Sequence, residues 1–274
     1  MKEKGGRSML HLKEESLALS KYSIDYIAFG KGKRPLVMIQ GLNTNSIKGA
    51  GLGLALMYRI FAKSHRVYLF DRRPDLSDGI TVREMAQDIA EAMDVLGLHD
   101  ADILGVSEGG MIAQYLALER PELVHRMVLA LTICRNNGTV EKAINKWVHL
   151  TEKEDYKALV CDMAERMYSE KYLKAYRPLL PILTMVQKPK DKDRFIALAK
   201  SCLSCDTYDD LDKIKCPTLV IGAREDKVVG IEGSIELAER IGCELYIYEH
   251  LSHAAYEEAG DFNKRVLDFF NEVK

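Results

Sequence analysis

The chain has 274 residues, 47% of them hydrophobic and 29% charged, and its 39 Lys and Arg against 41 Asp and Glu give a formal net charge of −2. That balance leaves no cationic excess for a polyphosphate, which argues against a nucleic-acid partner, and no stretch reaches the roughly 20 apolar residues of a membrane span. The opening MKEKGGRSMLHLKEES lacks the apolar run of a secretory signal, and six cysteines scattered through a long chain read as reduced core thiols, so a cytoplasmic protein is expected.

Short β-rich runs alternate with longer helical patterns through the first half, which predicts an open, mostly parallel sheet with helices on both faces. SLALS and IDYIAF read as an antiparallel pair, followed by strand PLVMIQG at 35–41, an apolar helix at 52–62 and strand HRVYLFD at 65–71. A helix over 81–98 is marked by Thr81 as its cap, Glu84 three residues on, and a stripe of Met85, Ile89, Met93 and Leu96. Strand 101–107, helix 111–119 and strand 126–133 continue the alternation. From 138 to 206 only helical periodicity remains, with Ala143, Ile144, Trp147 and Val148 on one stripe and Leu159, Val160, Met163 and Met167 on another. Strand 216–223, helix 231–242, strand 243–249 and a closing helix DFNKRVLDFFNEV then resume the α/β pattern. The expected organisation is one eight-stranded α/β domain, residues 1–137 and 207–274, interrupted by an all-helical cap at 138–206.

The chemistry starts at LGVSEGGM, where Gly105, Ser107 and Gly109 form G-x-S-x-G. A chain of this length carries that pattern by accident roughly one time in ten, so its context decides. Ser107 closes a strand and opens a helix, the setting in which a tight turn pushes the hydroxyl out above the sheet. A phosphate loop is disfavoured, because neither the Lys-Ser/Thr of a Walker loop nor G-x-G-x-x-G is present and Glu108 would repel phosphate. A serine nucleophile needs a base, and the base needs an orienting acid. Candidates stand past the ends of two later strands, where an open α/β sheet gathers its ligands: Glu225 or Asp226 after strand 216–223, and His250 or His253 after strand 243–249. The other histidines (His11, His65, His99, His125, His149) read as surface or connector residues. Cys202-Leu-Ser-Cys205 lacks the second ligand pair of a zinc site, and no metal or cofactor is expected.

In three ordered blocks the chain resembles the α/β-hydrolase superfamily, in its capped esterase, lactonase and haloperoxidase-like branch: DRRPDLSDGITVREMAQDIAEAMDVLGLHDADILGVSEGG, KIKCPTLVIGAREDKVV and HAAYEEAGDFNKRVLDFF. The resemblance implies Ser107 as nucleophile, His253 as general base and then acid, and Asp226, ahead of its x-V-V run, as the residue that orients the imidazole. It also implies an oxyanion hole from the backbone N–H groups of Glu108 and Leu42. Gln40 stands where the family has histidine, and with Asn43, Asn45 and Ser46 it could face the pocket. Arg73-Pro74-Asp75-Leu76 replaces the family's glycines, and Ser252 the glycine before the histidine. Tyr168, Tyr172 and Tyr176 with Met163, Met167 and Met185 are expected in the cap, mostly as packing, with some lining an apolar acyl pocket. The implied activity is cofactor-independent hydrolysis of a carboxylic ester, thioester or lactone with an apolar acyl part, through an acyl-enzyme. The alternatives are a small-molecule-binding protein with slow or vestigial hydrolysis, and perhydrolase or C–C hydrolase chemistry on the same residues.

Overall fold

The computed structural model describes residues 10–76 and 79–272, apart from the side chains of 176, 179–181 and 183, so Tyr176 lies outside the described side chains. Eight strands form one sheet in the order β1-β2-β4-β3-β5-β6-β7-β8. They are β1 (Lys13–Ala18), β2 (Ser23–Phe29), β3 (Arg34–Ile39), β4 (His65–Phe70), β5 (Ala101–Val106), β6 (Val124–Ala130), β7 (Thr218–Ala223) and β8 (Glu244–Tyr248). Strands β1/β2 and β2/β4 pair antiparallel and every other neighbouring pair is parallel. The central strands β5 and β7 are buried along their whole length, as helices on both faces require. By contrast the edge strand β1, KEESLA, is charged and mostly exposed, which blunts further pairing.

Eleven helices accompany the sheet among the described residues: α1 (Gly51–Met57), α2 (Val82–Val95), α3 (Glu108–Glu119), α4 (Gly138–Glu152), α5 (Tyr156–Met167), α6 (Glu170–Tyr176), α7 (Leu180–Gln187), α8 (Lys192–Ser201), α9 (Ile231–Ile241), α10 (Ala255–Glu258) and α11 (Phe262–Asn271). Two buried clusters divide the core. One packs Met85, Ile89 and Met93 of α2 with α3, α9 and the inner faces of α4 and α8, and the other packs α1 and α11 around Phe61, Phe262 and Phe270. Helices α4 to α8 follow one another between β6 and β7 with no strand among the described residues.

Local chemistry accounts for the boundaries. Thr81 caps α2 through a reciprocal capping box with Glu84, and Thr81→Ala is expected to cost about 1 kcal/mol, read as a lower urea midpoint with an unchanged slope. Three elements differ from the sequence reading. Helix α3 starts at Glu108 rather than 111, because the chain turns into the helix directly at Ser107. Helix α1 ends at Met57 and a short 3₁₀ turn covers Phe61–Lys63. β7 begins only at Thr218, after Pro217, which has no N–H for the ladder.

Candidate active site

The turn between β5 and α3 sets the site. Ser107 takes φ 55° and ψ −120°, an unusual conformation for a residue with a side chain. The surroundings hold it there: the Ser107 N–H donates to the Ala130 carbonyl at 2.9 Å, and its carbonyl accepts from Thr132 Oγ1 at 2.7 Å and from the Gly110 N–H at 2.9 Å. The turn can lie against β3 only because position 109 is glycine, since a Cβ there would come 1.9 Å from the Ile39 carbonyl oxygen. The outcome is a serine hydroxyl carried clear of the sheet, above the C-terminal ends of the parallel strands.

There it meets a chain of hydrogen bonds. Ser107 Oγ is 2.9 Å from His253 Nε2, and His253 Nδ1 is 2.8 Å from Asp226 Oδ2. With a carboxylate on Nδ1, the ring proton is assigned to that nitrogen, which leaves Nε2 to accept from the serine hydroxyl. The other oxygen, Asp226 Oδ1, accepts from the N–H groups of Val228 (2.8 Å) and Val229 (2.9 Å), so the x-V-V run fixes the carboxylate's orientation. Asp226 and His253 are buried, whereas the neighbouring candidates Glu225 and His250 are exposed and stand outside this chain of bonds. Ser252, at the expected glycine, places its hydroxyl 2.8 Å from the carbonyls of both Arg166 and Glu225, which ties the histidine loop to α5 and to the acid's loop.

Gly41 lies against the serine, its missing Cβ only 3.1 Å from Ser107 Cβ, and among the described residues neither the Leu42 nor the Glu108 N–H donates a hydrogen bond. The Glu108 side chain belongs to a buried ion pair. It is 1% exposed and pairs with buried Arg72, at 2.7 Å from Nη2 and 3.2 Å from Nε. The same Arg72 Nη2 donates to the Gln40 carbonyl at 2.6 Å, and Ser201 Oγ at the end of α8 donates to the other carboxylate oxygen at 3.2 Å. One buried ion pair thus ties the loop of Gln40–Leu42, the turn of Ser107–Glu108 and helix α8 together. Arg72 had no signal in the sequence, since its partner lies 36 residues away.

A small apolar cavity of about 40 Å³ opens onto Ser107 and His253, walled by Met111, Val140, Ile144, Trp147, Met163 and Met167 among others. The Trp147 ring is held in place by Nε1 donating to Asp162 at 2.9 Å, and Asp162 is itself paired with Lys146 and Arg166. Of the aromatic and thioether residues named from the α4–α8 segment, Met163 and Met167 reach this cavity, Tyr168 and Tyr172 stack on each other outside its lining, and Met185 is exposed. Asn45 bonds the Lys188 carbonyl and Ser46 the Asp71 carboxylate, so both hold loop structure, while Gln40 and Asn43 line a neighbouring cavity.

One further placement differs from expectation. His65 is buried rather than superficial: its Nε2 is 2.9 Å from Asp102 Oδ2, and His125 Nδ1 is 2.8 Å from Oδ1, because a carboxylate at 0% exposure at the start of β5 needs partners. Arg73, in the departed loop, clamps Asp88 of α2 through two hydrogen bonds of 2.7 and 2.5 Å. Cys202 and Cys205 are free and buried, and burial pushes both thiols up, away from reactive thiolate. Among the described residues no group of three or more His, Cys, Asp or Glu could hold a metal ion, and no helix is long and apolar enough to cross a membrane.

A mostly parallel eight-stranded sheet, with a serine on the strand–turn–helix corner and an aspartate and a histidine following later strands, is the α/β-hydrolase fold. The family model for the alpha/beta hydrolase fold matches residues 34–160. Among curated relatives, "Putative carbamate hydrolase RutD" of Rhizobium rhizogenes is 26% identical over 236 residues, 82% of this chain and 90% of that protein. Among solved structures, MGS-M2, an alpha/beta hydrolase enzyme from a Medee basin deep-sea metagenome library, superposes with a TM-score of 0.86 at 22% identity, covering 95% of this chain and 98% of that one. The enol-lactonase of Burkholderia xenovorans gives 0.82 at 21%, covering 94% and 100%.

Proposed function

We propose that the chain is a serine hydrolase acting on a carboxylic ester, thioester or lactone with a small apolar acyl group. The observation that carries this reading is the unbroken Ser107–His253–Asp226 hydrogen-bond chain at the mouth of an apolar cavity. Ser107 Oγ attacks the acyl carbon while His253 Nε2 takes its proton, and Asp226 stabilises the resulting imidazolium. The N–H groups of Leu42 and Glu108 receive the developing oxyanion. His253 then gives its proton to the leaving group, and water, activated by the same nitrogen, releases the acid from Ser107. In this reading residues 138–206, with α4 to α8, form a cap that closes the acyl side and excludes water, and no metal or cofactor enters any step.

The cavity's size makes the proposal testable. Rates over p-nitrophenyl esters from acetate to decanoate are expected to favour the shortest acyl groups, with acetate ahead of decanoate by tenfold or more in kcat/KM. Met163→Ala enlarges that wall and is expected to shift the optimum toward longer chains by one or two steps of the series. An optimum at decanoate in the unaltered chain would overturn the assignment of this cavity to the acyl group. A lactone panel assayed beside the esters separates a cyclic from an open-chain ester preference.

A further inference from the structure

A second cavity of about 210 Å³ shares Gly41, Leu42, Val106 and Tyr256 as walls with the cavity over Ser107. Its floor is apolar, from Met38 and Leu104 of the sheet and Leu54 of α1, but its rim is not. Asn43 also lines it, with an amide oxygen, Oδ1, that is sealed from solvent and has no hydrogen-bond partner. Glu257 presents a carboxylate that accepts from the Tyr168 hydroxyl at 2.7 Å and has no Lys, Arg or His within ion-pair distance among the described residues. Its uncompensated charge is felt by the tyrosines around it: burial, with Glu257 adding to it, pushes Tyr58 up to about 12 and raises Tyr168 and Tyr256 as well. Two of those rings, Tyr58 and Tyr256, line the cavity. A carboxylate and aromatic rings around one cavity are the surroundings that favour a cation with an N–H donor.

We propose that this second cavity is the leaving-group subsite and that it selects a substrate whose leaving group carries an alkylammonium. The Glu257 carboxylate accepts from the ammonium N–H, and the apolar floor takes the alkyl chain. This rests on the serine-hydrolase reading, with the small acyl group in the Ser107 cavity and the longer arm of the ester passing along Gly41 and Leu42.

An isosteric pair of acetate esters tests it: 3-(dimethylamino)propyl acetate, cationic at neutral pH, against 4-methylpentyl acetate, each rate normalised to its own hydroxide-catalysed hydrolysis. The expected result is a normalised kcat/KM at least tenfold higher for the cationic ester, a ratio that falls to within about threefold in Glu257→Gln. Equal normalised rates in the unaltered chain, or a preference that survives Glu257→Gln, would overturn the subsite. So would cleavage of p-nitrophenyl acetate with no turnover of either alkyl ester. Hydrolysis of p-nitrophenyl acetate by Ser107→Ala, assayed in parallel, reports separately on the underlying reading.

Discussion

Ser107→Ala is expected to remove hydrolysis of p-nitrophenyl acetate almost completely, on the order of 10⁶ in kcat, and to abolish labelling by a fluorophosphonate. Asp226→Asn is expected to cost about 10⁴, because an amide facing Nδ1 favours the tautomer in which Nε2 holds the proton and cannot take one from Ser107. Adding His253→Ala to Ser107→Ala is expected to cost nothing more, since groups that act as one unit lose their effect together. Folding is not at stake in the serine variant: alanine keeps the backbone bonds from Ala130, Thr132 and Gly110 that fix the turn. A Ser107→Ala variant with full activity would remove the nucleophile assignment, and labelling that persists in folded Ser107→Ala would place the reactive group elsewhere.

The parts of this molecule that were legible in the sequence are those whose cause is local. Thr81 and Glu84 are three residues apart and read as a capping box because they bond each other's turn. The strands show as apolar runs, since burial on both faces leaves no room for alternation. Ser107, Asp226 and His253 were visible for a related reason: each follows a strand, and parallel strands deliver their following loops to one end of the sheet. What stayed hidden depends on partners distant in the chain. Nothing near Arg72 announces Glu108, nothing near His65 announces Asp102, and the N–H groups that orient Asp226 carry no side-chain signature. Cavity volume is the extreme case, because the 40 Å³ over Ser107 is set jointly by side chains from at least five separate segments.

The buried pair of Arg72 and Glu108 carries the second large effect. Arg72→Met leaves the Glu108 carboxylate in a closed site with Ser201 Oγ and the Cys202 thiol as its remaining partners. Removing one member of such a pair costs about 3–5 kcal/mol, a large share of a typical folding free energy, and is expected to lower Tm by roughly 10 °C. Arg72→Met/Glu108→Met removes both charges and is expected to recover most of that stability, since an apolar replacement of similar volume no longer strands a charge. Activity is expected to behave differently. The pair also fixes the Gln40 carbonyl, and through it the peptide that leads to the Leu42 N–H, against the turn that supplies the Glu108 N–H. With the link gone, the double variant is expected to stay about 10- to 100-fold down in kcat, as small displacements of oxyanion donors cost. Thermal melts and ester kinetics on both variants check this. Recovery of kcat along with Tm would show that the pair only stabilises the fold, whereas a stable but slow double variant would show that it holds the two halves of the oxyanion hole in register.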